Sequence, residues 1–91
     1  MTQKINKNPK KYLGWTNHET WNVMLWINNI EDIYFSVVEI LKNTNYTPTY
    51  REIIYILHLE DCQTADGISF LNHKLNYDEL NNAIKNIGGT K

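Results

Sequence analysis

The chain has 91 residues, of which 42% are hydrophobic and 21% charged, and its formal net charge is −1. A chain of this length forms one small domain and has no room for a second hydrophobic core. No apolar run approaches the roughly 18 residues that a membrane-spanning helix requires, and no apolar stretch of a secretory signal follows the basic N-terminus. Because Cys62 is the only cysteine, no internal disulfide can form, and we expect a reducing, cytoplasmic location.

The charges are divided unevenly between an N-terminal tail and the rest of the chain. Residues 1–11 contain four of the nine basic residues: Lys4, Lys7, Lys10 and Lys11. The remainder carries five basic and ten acidic residues. A basic tail can contact nucleic-acid phosphates, but chain termini are usually flexible and solvated. We therefore predict a flexible basic tail over residues 1–11 and a single helical domain over residues 12–91.

A first helix is predicted over residues 17–28, because Thr16 and Glu19 have the spacing of a capping box. In that motif the threonine hydroxyl accepts a hydrogen bond from an early helical amide, and the glutamate reaches back to the amide of the cap. The helix is apolar around most of its circumference, which indicates a central, buried position. Trp21 falls within this apolar stripe and is predicted to lie in the core.

The next two helices are predicted over residues 30–42 and 48–60. Glu31 and Asp32 lie in the first turn of the second helix, where negative charge is favourable, and the apolar residues that follow recur at helical spacing. In the third helix, a threonine before Pro48 is typical of a cap followed by a proline in the first turn. The run "IIYIL" is also rich enough in β-branched and aromatic residues to be a buried strand, so helix and strand both remain open there.

The C-terminal part of the chain predicts a short helix over residues 68–75 and a longer one after it. Asn76 is the expected cap of the last helix, and acidic residues occupy its first turn. Lys85 and Gly88 then supply the cation and the glycine that are typical of a helix end. The whole pattern predicts an all-α fold, a compact single-domain bundle of four to five short helices.

The segment "GWTNHETWNVMLW" over residues 14–26 resembles the hallmark of a family of small proteins of unknown function from bacteriophages, plasmids, bacteria and archaea. The shared pattern is G-W-x-N-x-E-T-W-x-V-x-L-W. A weaker similarity at residues 75–80 extends the resemblance over most of residues 12–87. The resemblance implies a phage or mobile-element origin, and it implies no activity.

Residues with catalytic or metal-binding chemistry do not fall into common motifs. His18 and Glu19 begin a sequence similar to a zinc-peptidase motif, but the second histidine would have to be at position 22, which is an asparagine. A second group lacks the paired ligand spacing of a structural zinc site: His58, Glu60, Asp61 and Cys62. We expect no metal, no cofactor and no enzymatic activity. The alternative is a small enzyme with its site near Asn17, His18 and Glu19.

Trp26 and Phe35 are the candidate binding residues, because each of these large aromatic side chains falls on the polar side of its predicted helix. Two such side chains on adjacent helices form one patch if the helices pack antiparallel, and monomeric proteins seldom leave such a patch unused. We therefore expect Trp26 and Phe35 to form a partner-binding surface, with Asn22 and Asn29 at its rim.

The function that these features favour is stoichiometric binding to another protein. We expect a small phage-type accessory protein that inhibits a host or defence-system protein in the host cytoplasm, of the anti-CRISPR or anti-restriction type. Self-association into a homo-oligomer through the same surface is left open. The alternatives are a nucleic-acid accessory protein that uses the lysine tail and the small enzyme. Nucleic-acid binding is the less favoured of these because the body of the chain has no basic helix face, and no membrane partner is expected.

Overall fold

The computed structural model describes residues 12–88, which fold into four α-helices. The helices are α1 His18–Asn29, α2 Glu31–Asn43, α3 Tyr50–Ile56 and α4 Tyr77–Ile87. Within the same residues the β-type pairings are two isolated bridges, Tyr12 with Trp15 and Gln63 with Ser69. The predicted all-α fold is therefore confirmed. None of the helices between residues 12 and 88 is long and apolar enough to cross a membrane, and the predicted tail over residues 1–11 lies outside the described residues.

α1 begins one residue later than predicted because Asn17, and not Thr16, is its N-cap. The side-chain oxygen of Asn17 accepts a hydrogen bond from the Thr20 amide at 2.9 Å, which satisfies one of the free N–H groups at the helix start. The predicted capping box of Thr16 and Glu19 is wrong. Asparagine is at least as good a cap as threonine, so two adjacent residues competed for the position.

Hydrogen bonds join the start of α1 to the start of α4. The Thr16 amide donates to Oε1 of Glu79 at 3.0 Å, and the Asn76 side-chain amide donates to the Thr16 hydroxyl at 3.0 Å. The Thr20 hydroxyl donates to Asn17 at 2.6 Å and accepts from the Asn76 backbone amide at 2.9 Å. Thr20 is fully buried, and its hydroxyl is satisfied within the protein as donor and as acceptor. Two helix starts that are far apart in sequence are thereby fixed side by side.

α2 and α3 begin close to their predicted positions. A single residue, Ile30, separates α1 from α2, and its amide donates to the Trp26 carbonyl at 2.9 Å. α3 starts after Thr49, which forms a capping box with Glu52: the Thr49 amide donates to the glutamate at 2.8 Å, and the Glu52 amide donates to the threonine hydroxyl at 3.2 Å. The run that was compatible with helix or strand is helical as far as Ile56.

α3 ends four residues earlier than predicted because the chain reverses direction at His58. The φ angle of His58 is +60°, in the left-handed region. Its amide donates to the Tyr55 carbonyl at 3.1 Å and the Leu59 amide donates to the Ile54 carbonyl at 2.9 Å, which is the pattern of a Schellman motif. Leu59 then packs, partly buried, against the core.

The segment between α3 and α4 is irregular, and the predicted helix over residues 68–75 is wrong. The Thr64 amide donates to the Ile68 carbonyl at 2.8 Å, and Gly67 within this turn has a φ angle of +86°. Further on, Phe70 is buried, and its carbonyl accepts a hydrogen bond from the Tyr50 hydroxyl at 2.8 Å. Contacts with distant parts of the chain replace the hydrogen bonds of a helix, so tertiary structure overrides the local helical pattern.

Every helix contributes to one hydrophobic core. Among residues 12–88 its buried members are Val23, Met24, Ile27, Val37, Leu41, Tyr50, Ile53, Ile54, Phe70, Leu75, Leu80 and Ile84. Trp21 is not one of them, so the prediction that it is a core residue is wrong. It is partly buried, and its ring centroid lies 4.9 Å from the ring of Tyr12 and 5.5 Å from that of His18. Trp15, in contrast, packs partly buried against the core.

Candidate binding surface

Trp26, the first predicted binding residue, is partly buried and has a partner within the molecule. Its indole N–H donates to Oδ2 of Asp66 at 3.0 Å, and the Asn22 side-chain amide donates to the same oxygen at 2.7 Å. The hydrogen bonds from Asn22 and Trp26, with a smaller contribution from the charge of His18, lower the pKa of the Asp66 carboxyl, because they stabilise its charged form. The turn that contains Asp66 is therefore held against α1.

Asn22 lies in the interior, so its predicted position at the rim of an exposed patch is wrong. Its side chain is 0% exposed, and its oxygen accepts a hydrogen bond from the Thr64 hydroxyl at 2.6 Å. Thr64 is itself buried and accepts from the Ile68 amide at 3.2 Å. Buried amides need hydrogen-bond partners, and here the partners are two residues of one turn. Asn29, at the end of α1, is exposed, and its role at a binding rim stays a prediction.

Phe35 lies on the outer side of α2, and 55% of its side chain is exposed. The ring of Tyr34 is next to it, with 5.9 Å between the ring centroids. Beside Phe35 lies an open depression of about 460 Å³, between α2 and the C-terminal end of α3. We call this depression the α2–α3 groove and define it by its lining residues: Asp32, Phe35, Ser36, Glu39, Ile40, Ile56 and Leu57.

The α2–α3 groove has a large apolar component from both helices. Ile40 and Leu57 are partly buried and pack against the core, so the apolar lining of the groove is continuous with the interior. Phe35 and Ile56 leave about half of their side chains open to solvent, 55% and 49% respectively. Contiguous exposed apolar surface of this kind is typical of binding sites, whereas isolated exposed apolar residues are common on any protein.

The polar part of the groove is acidic. Asp32 and Glu39 line it, and none of the lysine and arginine residues between positions 12 and 88 does. Glu39 accepts a hydrogen bond from the Asn43 side chain at 3.2 Å. Within residues 12–88 neither carboxylate forms an ion pair. In the part of the chain that the structure describes, the groove therefore combines exposed apolar side chains with negative charge that no ion pair neutralises.

The structure does not bring Trp26 into the surface that contains Phe35, because Trp26 is not among the residues that line the groove. Of the residues that line the groove, only Phe35 was predicted as a binding residue. Ile56 and Leu57, which extend the groove to α3, belong to the run for which the sequence left helix and buried strand open. A signal was present in that run: five consecutive apolar residues exceed what one face of a helix can bury.

The residues of the alternative enzyme site have structural contacts. Both polar atoms of the Asn17 side chain are used, the oxygen as the α1 cap and the amide to donate to the Lys74 carbonyl at 2.7 Å. The His18 ring packs edge-to-face on Tyr12, with 5.1 Å between centroids. From residue 12 to residue 88, no three histidine, cysteine, aspartate or glutamate side chains cluster in a way that could hold a metal ion. The alternative nucleic-acid contacts lie outside the described residues: Lys4, Lys7, Lys10 and Lys11.

The fold and the groove together define a small all-α protein whose candidate site is an open surface depression. A family model matches residues 8–88, and the chain belongs to that family, a family of unknown function (DUF7249). Membership agrees with the predicted resemblance to a family of unknown function, while the phage origin stays a prediction. Comparisons with curated proteins and with solved structures give no match.

Proposed function

We propose that the protein acts by binding another protein, one to one, through the α2–α3 groove. One observation carries the proposal: Phe35 and Ile56 come from different helices, line the same depression and are both about half exposed. Burying their apolar surface against a partner contributes roughly 25 cal/mol for each Å² removed from water. The residues that dominate the affinity of an interface are often large side chains in or beside a depression.

In this proposal the protein is a phage-type accessory protein that inhibits a host or defence-system protein in the host cytoplasm, of the anti-CRISPR or anti-restriction type. The sequence resemblance to proteins of phages and plasmids supports this origin. A stoichiometric inhibitor works by occupying a surface of its target and needs no catalytic group, which suits a 10.8 kDa chain with an open apolar groove. Trp26 and Asn29 stay candidate contacts outside the groove.

Affinity capture with the full-length protein tests the proposal. The test variant carries Phe35→Ala and Ile56→Ala, and the matched control carries Tyr46→Ala, since Tyr46 is 58% exposed and lies outside the groove. We expect the wild type and the control to retain the same protein from a prokaryotic host lysate at a one-to-one ratio. The double variant should bind that protein at least about tenfold more weakly, with an unchanged melting temperature.

Two results would overturn parts of the proposal. Equal capture by all three proteins would show that the groove is not the binding face. If the captured protein keeps its full activity in the saturated complex, the binding is not inhibitory.

A further inference from the structure

We infer that the α2–α3 groove accepts a basic amphipathic helix of the partner protein, with apolar side chains on one side and lysine or arginine beside them. The inference rests on the proposed function and adds the chemistry of the partner to it. Its basis is the arrangement of charged and apolar residues along α2.

The two carboxylates of the groove bracket its main apolar residue. Asp32, Phe35 and Glu39 are spaced three and four residues apart, so they follow one another along the same side of α2. At a rise of 1.5 Å per residue, the Cα atoms of Asp32 and Glu39 are about 10 Å apart along the helix axis, and Phe35 lies between them. A partner therefore meets negative charge, an aromatic ring and negative charge again in a fixed order.

The charge of Glu39 has no structural explanation within the helix. Asp32 lies in the first turn of α2, where a carboxylate is favourable next to the helix dipole. Glu39 lies beyond that turn, and among residues 12–88 its hydrogen-bond partner is the exposed Asn43 side chain. Both carboxylates line an apolar depression to which the described residues contribute no cation. A neutral or acidic partner would remove them from water without compensation, which is unfavourable.

A basic helix matches this arrangement in spacing as well as in charge. Two basic residues seven positions apart on a helix are also about 10 Å apart, and residues three and four positions after the first lie between them on the same face. Apolar side chains at those intermediate positions would contact Phe35 and Ile56, while the flanking basic groups pair with Asp32 and Glu39. This is the helix-in-groove mode of recognition, with charge setting the specificity.

Three synthetic peptides test the inference by calorimetric titration of the full-length protein. The first has leucine and lysine at helical spacing, the second has glutamate in place of every lysine, and the third has serine in place of every leucine. We expect only the leucine–lysine peptide to bind, one to one, and its dissociation constant to rise at least tenfold between about 50 and about 500 mM salt as screening increases.

Variants of matched charge separate the groove from general electrostatic attraction. Asp32→Asn with Glu39→Gln removes two negative charges from the groove, whereas Glu31→Gln with Asp61→Asn removes two exposed charges outside it. The groove variant should weaken binding of the leucine–lysine peptide at least tenfold, and the control variant less than threefold. Equal weakening by both variants, or equal binding of the glutamate peptide, would overturn the inference.

The remaining outcomes distinguish this inference from the proposed function. Suppose that the leucine–lysine peptide fails to bind, but the double variant Phe35→Ala with Ile56→Ala still loses capture of the partner protein. The inference about a basic helix is then wrong, and the proposed function stands. If sedimentation of the free protein shows dimers that Phe35→Ala dissociates, the occupant of the groove is a second copy of the chain, which overturns the inference as well.

Discussion

Asn22 is buried in α1, where its side chain connects Thr64 and Asp66. Asn22→Ala removes both hydrogen bonds and leaves the buried Thr64 hydroxyl without its acceptor. We expect the free energy of unfolding to fall by about 1–3 kcal/mol, measured by urea denaturation. Asn29→Ala, on the same helix but exposed, should change it by less than about 0.5 kcal/mol. Equal effects of the two substitutions would contradict the structural role of Asn22.

Tyr50 combines a buried ring with a buried hydroxyl that donates to the Phe70 carbonyl. Tyr50→Phe keeps the ring but leaves that carbonyl without this donor. The free energy of unfolding should therefore fall by about 1–3 kcal/mol. Tyr46→Phe is the matched control, because Tyr46 is 58% exposed, and it should have almost no effect. A Tyr50→Phe protein as stable as the wild type would show that the hydrogen bond contributes nothing.

The Tyr50 hydroxyl should also make the fold sensitive to alkaline pH. Burial, and secondarily the neighbouring Tyr77, raises the pKa of Tyr50 far above its usual value of about 10. The unfolded chain loses this proton near pH 10 while the folded chain keeps it, so the stabilisation is complete below about pH 10 and declines as the pH rises further. Urea denaturation should show this decline between about pH 10 and 11. It should be shallower, though not absent, in Tyr50→Phe, since burial also raises the pKa of Tyr77; an unchanged decline would contradict the assignment to Tyr50.

The residue that ends α3 is unfavourable for the backbone conformation it adopts. His58 has a φ angle of +60°, a conformation that glycine adopts without the steric cost of a Cβ atom. His58→Gly should raise the free energy of unfolding by about 0.5–1 kcal/mol, measured as an increase in melting temperature. His73→Gly, at an exposed position without a positive φ angle, should lower it slightly. A destabilised His58→Gly protein would mean that the imidazole has a contact that the backbone geometry does not explain.

The start of α4 was predictable from the sequence because its signal is local: the Asn76 side chain accepts from the amide of Glu79, three residues away. The segment between α3 and α4 was not predictable, since its turn is held by a hydrogen bond between Asn22 and Thr64, 42 positions apart. Helical spacing of apolar residues cannot reveal such contacts. The expected helix over residues 68–75 failed for this reason.

The candidate site was predictable only where helical periodicity decides exposure. Phe35 falls on the polar side of its helix in the sequence, and the structure has it at the surface. The same argument gave an exposed Trp26, but the turn around Asp66 packs against that side of α1. Ile56 was missed because a run of five apolar residues does not show which of them face solvent. The end of α3 was missed as well, because the reversal that follows it is at His58 and not at a glycine.

Over the whole molecule, α2 is attached differently from the other helices. α1 and α4 share hydrogen bonds around Thr20, and the Tyr50 amide of α3 donates to the Asn81 side chain of α4 at 2.8 Å. In the described part of the chain, α2 side chains form no hydrogen bond to another helix or to the segment between α3 and α4. Its attachment comes from apolar side chains such as Val37 and Leu41.

α2 should therefore open at a lower free energy than the other helices. Amide hydrogen exchange can test this with two equivalent residues, Val37 in α2 and Ile84 in α4, which are both 0% exposed. We expect the Val37 amide to exchange at least tenfold faster than the Ile84 amide. Equal protection of the two amides would indicate that α2 unfolds only with the whole domain.

An attachment made by apolar contacts has its own temperature dependence. Near room temperature the burial of apolar surface is driven by the entropy of water, and this driving force weakens on cooling. The hydrogen bonds around Asn22 and Thr20 do not share that loss. Cooling should loosen α2 before the remaining helices and, with it, one wall of the α2–α3 groove. The groove would then be better formed near room temperature than at about 0 °C, and a protein that binds there would dissociate more readily in the cold.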